Sequence, residues 1–102
     1  MTSWRDAVRE RDLWRCARCG KGHPEHVHHR VLRSQGGGNG YANLVCLCTC
    51  CHNWAHHRPA EAMAGGWIVP GECDPAQVAV CHFAWGRDVL LRDDGTFDLM
   101  VS

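Results

Sequence analysis

Two segments, Val27-His28-His29-Arg30 and Asn43-Leu44-Val45-Cys46-Leu47-Cys48-Thr49-Cys50-Cys51-His52-Asn53-Trp54-Ala55-His56, carry most of this chain's chemistry, and the glycine-rich stretch Ser34-Gln35-Gly36-Gly37-Gly38-Asn39-Gly40 separates them. His26 to Leu32 alternates polar and apolar side chains, the period of a β-strand. The glycine run cannot be helical and reads as a loop. Tyr41 to Leu47 is a second candidate strand. Cys50 to about His57 predicts a short helix ended by Arg58-Pro59, because the residue before a proline avoids the helical region. The order is strand, loop, strand, helix.

Histidines spaced four apart on a helix project from one face, so His52 and His56 can share an ion. Neighbouring strand residues point to opposite sides, so one of His28 and His29 can join them while the other faces a substrate. Neutral imidazole ligands with open positions for water or phosphate make a site able to hydrolyse. A second, structural site needs four soft ligands in a tetrahedron. Cys16-Ala17-Arg18-Cys19 supplies one pair, with Gly20 permitting the positive φ such a turn needs. Of the crowded Cys46, Cys48, Cys50 and Cys51, only Cys48 and Cys51 combine a two-residue spacer with a helix start, which leaves Cys46 and Cys50 as small buried hydrophobes.

Working outward, Ser3 can cap a helix from about Trp4 to Arg11, with Trp4 and Val8 on one face and Arg5 and Arg9 on another. Pro59 to Ala64 predicts a further short helix stopped by Gly65-Gly66. Beyond it, Trp67-Ile68-Val69, Val78-Ala79-Val80 and Val89-Leu90-Leu91, punctuated by Pro70-Gly71, Asp74-Pro75 and Asp93-Asp94-Gly95, suggest a small antiparallel meander. Cys73 and Cys81 are expected as buried thiols there, since their spacing from each other and from His82 fits no standard metal site.

A chain of 102 residues has room for one small domain, and eight Cys point to cross-links that supplement its core. No run of about 18 apolar residues could span a membrane, and Met1 to Asp6 lacks the apolar stretch of a secretory signal. The expectation is a cytoplasmic protein, in which eight Cys beside eight His read as metal ligands before disulfides. The net charge of zero hides an asymmetry. Residues 1–58 hold nine Arg or Lys against four Asp or Glu, while residues 59–102 hold two against seven. Ten of the eleven basic residues are Arg, whose planar fork suits phosphate.

Taken in order, CxxC, His28-His29, Asn43, CxxCH and HxxxH from about Cys16 to Pro59 resemble the HNH endonuclease family and its ββα-metal fold. The stretch from His56 to Ala62 followed by Gly66-Trp67-Ile68-Val69 is similar to small HNH proteins of bacteriophages and prophages. The resemblance implies that His29 is the general base, that Asn43 secures the loop and orients that base, and that His52 is a metal ligand. His28 stands where the family often has Asp. This looks like the His-His variant of colicin-type nucleases, which implies His28 and His56 as the other ligands, with His57 as an exchange for His56 if the helix phase differs. The implied products are a 5′-phosphate and a 3′-hydroxyl. The implied cofactors are a structural Zn2+ on Cys16, Cys19, Cys48 and Cys51 and a catalytic Mg2+, Mn2+, Ni2+ or Zn2+.

The expected architecture is therefore α+β: residues 1–64 form a zinc-stapled ββα-metal core with an N-terminal helix, and residues 65–102 an acidic β extension within the same compact domain. Arg30, Arg33 and Arg58 are near enough to hold phosphates flanking the cleaved bond. DNA is the expected partner, and the phage likeness adds terminase subunits that the acidic extension could dock. The rival is a non-catalytic zinc nucleic-acid-binding module. A nucleobase deaminase, suggested by His23-Pro24-Glu25 with Cys48 and Cys51, lacks the proline before its CxxC and leaves Cys16 and Cys19 unused.

Overall fold

The computed structural model describes residues 4–83 and 86–99, so the expected cap Ser3 lies outside the described residues. Helix α1 (Trp4–Arg11) buries Val8 against Leu44 and Cys46, with Trp4, Val27 and Tyr41 packed around them. Strands β1 (His26–His29) and β2 (Leu44–Leu47) pair antiparallel, His26 opposite Leu47 and His29 opposite Leu44. All four residues of β2 are buried. Leu44 and Cys46 face α1, while Val45 and Leu47 face the other way into the main core. A strand covered on both faces explains its unbroken apolar run.

Helix α2 (Thr49–His57) follows β2 directly, and α3 (Pro59–Ala64) follows α2 after the single residue Arg58. The meander is β3 (Val80–His82), β4 (Arg87–Leu91) and β5 (Phe97–Leu99), in that order and antiparallel. Its Val80, Val89 and Leu91 share one buried cluster with Cys16, Val45, Leu47, Ala55 and Trp67. The fold is a small α+β structure. Among the described residues, no helix is long and apolar enough to cross a membrane.

Several boundaries differ from the sequence expectation. β1 stops at His29 because the backbone of Arg30 and Val31 turns to Asn43: Arg30 N–H donates to the Asn43 carbonyl at 2.8 Å and Val31 N–H to Asn43 Oδ1 at 2.7 Å. Tyr41–Asn43 forms a 3-10 turn before β2 begins. Trp67 to Val69 is not a strand. Trp67 N–H donates back to Ala62 O, closing α3, and Val69 N–H reaches Arg30 O at 2.9 Å. The third strand is Phe97–Leu99, reached through the turn at Gly95 (φ +90°). Cys73 and Cys81 are exposed, not buried: Cys73 sits in the turn closed by its N–H on Pro70 O, and Cys81 faces out because β3 turns Val80 and His82 inward.

The end of α1 is fastened by a buried carboxylate. Asp12 is fully buried and takes Arg11 Nε at 2.9 Å, Cys46 N–H at 2.9 Å and His82 Nε2 at 2.9 Å. Burial pushes its pKa up, but His82 and Arg11 outweigh that and hold it below the usual carboxylate value. The same Arg11 donates to the carbonyls of Tyr41 and Leu44, at 2.8 and 2.6 Å. Helix α1, strand β2 and strand β3 therefore meet at one ion-paired node.

Candidate active site and metal centres

Four thiols converge where the turn after α1 meets the start of α2. The sulfurs of Cys16, Cys19, Cys48 and Cys51 lie within 4.8 Å of one another. Cys19 N–H donates to Cys16 Sγ and Cys51 N–H to Cys48 Sγ, both at 3.5 Å, so each CxxC pair wraps its first sulfur in the same way. Cys19 Sγ and Cys48 Sγ are 3.7 Å apart. A tetrahedron with metal–sulfur bonds of about 2.3 Å has edges of about 3.8 Å, so this spacing fits a shared ion. Burial opposes ionisation of Cys16, but backbone N–H groups of Cys19, Cys48 and Arg18 lower its pKa. The Arg18 guanidinium stacks on Trp54 at 3.6 Å and reaches Cys51 Sγ at 3.5 Å, placing positive charge beside the sulfurs.

Cys46 and Cys50 stay out of this cluster. Cys46 faces α1, and burial beside the Asp12 carboxylate pushes its thiol up to about 12. Cys50 is exposed, where the sequence suggested a buried hydrophobe. Gly20 at φ +81° closes the first turn, and a Cβ there would come within 2.9 Å of Phe83.

The second cluster is three imidazoles. His28 on β1 and His52 and His56 on α2 bring ring nitrogens within 4.8 Å of one another. His52 Nε2 and His56 Nε2 face each other at 3.3 Å. His28 Nε2 lies 2.8 Å from the Trp67 carbonyl. A carbonyl only accepts, so Nε2 carries the hydrogen and Nδ1 keeps its lone pair, the arrangement usual for a histidine that ligates metal. His26 stacks on His52 at 4.3 Å between ring centres and fixes that ring from outside. His57 is exposed and lies outside the cluster, so the helix phase selects His56.

Burial lowers the His28 pKa from 6.5 to about 4, with further lowering from His52, His56 and His29. Burial, then His26 and His56, lower that of His52. Both rings are thus neutral at neutral pH and able to donate lone pairs to a metal. An unfolded chain binds a proton at His28 near pH 6.5, whereas the folded one refuses it until about 4. Acidification across that window therefore favours unfolding by up to about 3 kcal/mol, and the penalty is absent above pH 6.5. Ring-nitrogen NMR with the histidine cluster metal-free is expected to find His28 uncharged at about pH 5.5, where an ordinary histidine is mostly protonated. A midpoint at the ordinary value would contradict the buried, desolvated ring.

His29 points away from His28, as strand alternation requires, and is half-exposed. Its Nε2 lies 2.8 Å from Asn39 Oδ1, and the Trp4 ring stands edge-on with centres 6.3 Å apart. Asn43 is buried and secures the loop: its Oδ1 takes Val31 N–H, and its Nδ2 donates to Val31 O at 3.2 Å and Gly38 O at 2.9 Å. The side chain bonded to His29 is Asn39, not Asn43. In the sequence Asn39 is one polar residue in a glycine run, with no motif to single it out. Its signal was that same isolation, since no other side chain between Gly36 and Gly40 can bond a ring.

The three arginines separate sharply. Arg30 is fully buried and cannot meet a phosphate. Its Nε donates to Gly66 O at 2.8 Å, its Nη1 to Ala42 O at 2.7 Å and Pro75 O at 3.1 Å, and its Nη2 to Val78 O at 2.5 Å. Burial lowers its pKa to about 10, so it remains charged at neutral pH. Arg33 and Arg58 are exposed, the latter 3.9 Å from Glu61.

A family model described as HNH endonuclease matches residues 16–58. No curated protein and no solved structure matches the chain. The matched span opens at the first thiol of the four-cysteine cluster, takes in all three clustered histidines and His29, and ends where α2 gives way to α3. Residues 16–58 of this chain are an HNH endonuclease domain.

Proposed function

We propose that the protein is a metal-dependent endonuclease that hydrolyses DNA phosphodiester bonds, leaving a 5′-phosphate and a 3′-hydroxyl. The observation that carries the reading is the three-imidazole cluster of His28, His52 and His56, with an independently held imidazole, His29, next in the same strand. Zinc suits the four thiols, and Mg2+, Mn2+, Ni2+ or Zn2+ the three histidines, where the all-nitrogen donor set favours the softer ions. Such an ion, when bound, neutralises charge on the scissile phosphate and on the departing 3′ oxygen.

The chain's own residues supply the rest. With Asn39 Oδ1 accepting from Nε2, the lone pair of His29 is on Nδ1, and that atom takes the proton of the attacking water. Asn43 keeps the loop that carries Asn39 at a fixed distance from β1. Arg33 and Arg58 hold phosphates on either side. Reduced thiols are needed at the structural site, which favours a cytoplasmic setting. A role beside a phage DNA-packaging terminase would extend this activity and rests on the phage-like stretch from His56 to Ala62 followed by Gly66-Trp67-Ile68-Val69.

Supercoiled plasmid incubated with zinc-loaded protein and Mg2+, Mn2+, Ni2+, Zn2+ or no added ion is expected to be nicked only with an ion present. His29→Ala is expected to slow nicking by about 10²- to 10⁴-fold at unchanged zinc content and circular dichroism. If wild type and variant bind DNA equally and neither cuts with any ion, the domain is a binding module and the nuclease reading is wrong.

A further inference from the structure

Beside the histidine cluster lies a cavity of about 520 Å³, and His56 is the one member of that cluster in its lining. His56 forms one edge, so the cavity and the cluster share a wall. Pro59 and Met63 from the start and body of α3, with Ile68 and Pro70 from the segment after it, make an apolar lining. Besides His56, the polar residues of the lining are Gln35 and Glu72, both exposed. Gly71 lets the two walls close: a Cβ there would stand 3.0 Å from the Gln35 carbonyl oxygen and 3.2 Å from its Cβ.

The volume falls within the range of small-molecule sites, roughly 300–1,000 Å³. A flat ring fits flat apolar walls, and a methionine sulfur adds a favourable contact with an aromatic face. The charge pattern selects further. A carboxylate at the cavity wall repels phosphate, yet it can accept from an exocyclic amino group, while a glutamine amide offers both a donor and an acceptor to a base edge. Phosphates have their own places outside: Arg33 lies two residues before Gln35, and Arg58 immediately precedes Pro59. An apolar pocket with a carboxylate and an amide, flanked by two exposed guanidinium groups, has the layout of a nucleotide site with its base inserted.

We propose that the cavity between α3 and the turn at Gln35 receives an unpaired, amino-bearing nucleobase (cytosine, adenine or guanine) from the nucleotide next to the scissile phosphate. This rests on the DNA-cleaving reading and narrows its substrate to strands with a base free to leave the stack, whether single-stranded or locally opened. Thymine, with no amino group, is disfavoured. Base insertion also fixes the backbone beside His56, so the site gains register from a contact that phosphates alone cannot provide.

The test uses the whole zinc-loaded chain without a second ion, so that nothing is cut. Fluorescence anisotropy would compare oligo-dC, oligo-dA, oligo-dT and an abasic strand of equal length, against wild type and the double variant Gln35→Ala/Glu72→Ala. Wild type is expected to bind oligo-dC and oligo-dA about ten-fold more tightly than oligo-dT or the abasic strand. In the double variant that gap closes to about two-fold or less, while abasic affinity, set by phosphate contacts, holds or rises slightly. Equal wild-type affinity for abasic and oligo-dC strands, or an intact preference in the variant, overturns the base pocket while leaving the nuclease reading in place. If none of the strands nor a duplex binds, the DNA-cleaving reading falls as well.

Discussion

Removing the ion from the four thiols is expected to unfold the protein. Cys16, Cys48 and Cys51 are almost fully buried, and their sulfurs crowd together with Cys19 at the junction of the α1 turn, β2 and α2. Without a cation, those sulfurs must be neutral thiols packed against one another, and burial already pushes Cys51 upward in pKa. Binding of structural zinc is worth about 10–16 kcal/mol in zinc-finger peptides, as large as the whole stability of an ordinary domain, about 5–15 kcal/mol. A chelator, or Cys16→Ser, should therefore abolish the cooperative thermal transition seen by circular dichroism in the loaded protein. A chelated chain that melts within a few degrees of the loaded one would show that the core stands without the staple. Histidine-cluster occupancy is a separate matter, since His28, His52 and His56 keep a different set of partners.

Arg30→Ala should be the most damaging substitution outside the cysteines. The guanidinium satisfies the carbonyls of Ala42, Gly66, Pro75 and Val78, which come from the loop before β2, the end of α3 and the segment leading to β3. Truncation leaves these oxygens without their donor and opens a void in a well-packed region, at a cost of about 3–5 kcal/mol. Arg30→Lys should recover only part of this, because an ammonium cannot spread donors across so wide a fork. Arg33→Ala, at an exposed position, should change the unfolding free energy read from urea melts by no more than about 0.5 kcal/mol. Equal stability of the Arg30 and Arg33 variants, with weaker DNA binding in the former, would return Arg30 to the phosphate role that the sequence suggested.

The contrast between these arginines marks what can be read from sequence. Local spacing carried the thiol pairs and the His52-His56 pair, because a CxxC turn and one helical turn are each set by a few residues. The alternation of His28 and His29 was legible for the same reason. Arg30 was not, because its partners lie up to 48 residues away and only the folded chain brings their carbonyls together. In sequence it is simply a basic residue following two histidines. Asn39 and Asn43 posed a subtler difficulty: both lie near the loop, and only the backbone path decides which reaches the His29 ring. In the meander, the turn signals located the region, but a strand such as Phe97–Leu99 has too few residues to announce itself by period.

The ion-paired node at Asp12 bears on how such a domain can be handled by evolution or by engineers. Matched residues 16–58 contain neither the carboxylate nor its His82 partner, yet β2 within them depends on that carboxylate for the Cys46 N–H. The matched segment is thus not a portable cassette. Transplanting it into another protein means carrying along α1 and β3, or designing a substitute that neutralises and hydrogen-bonds the same buried spot. A chain that kept this segment while replacing its flanks would need another group to accept from the Cys46 N–H and neutralise the same buried spot.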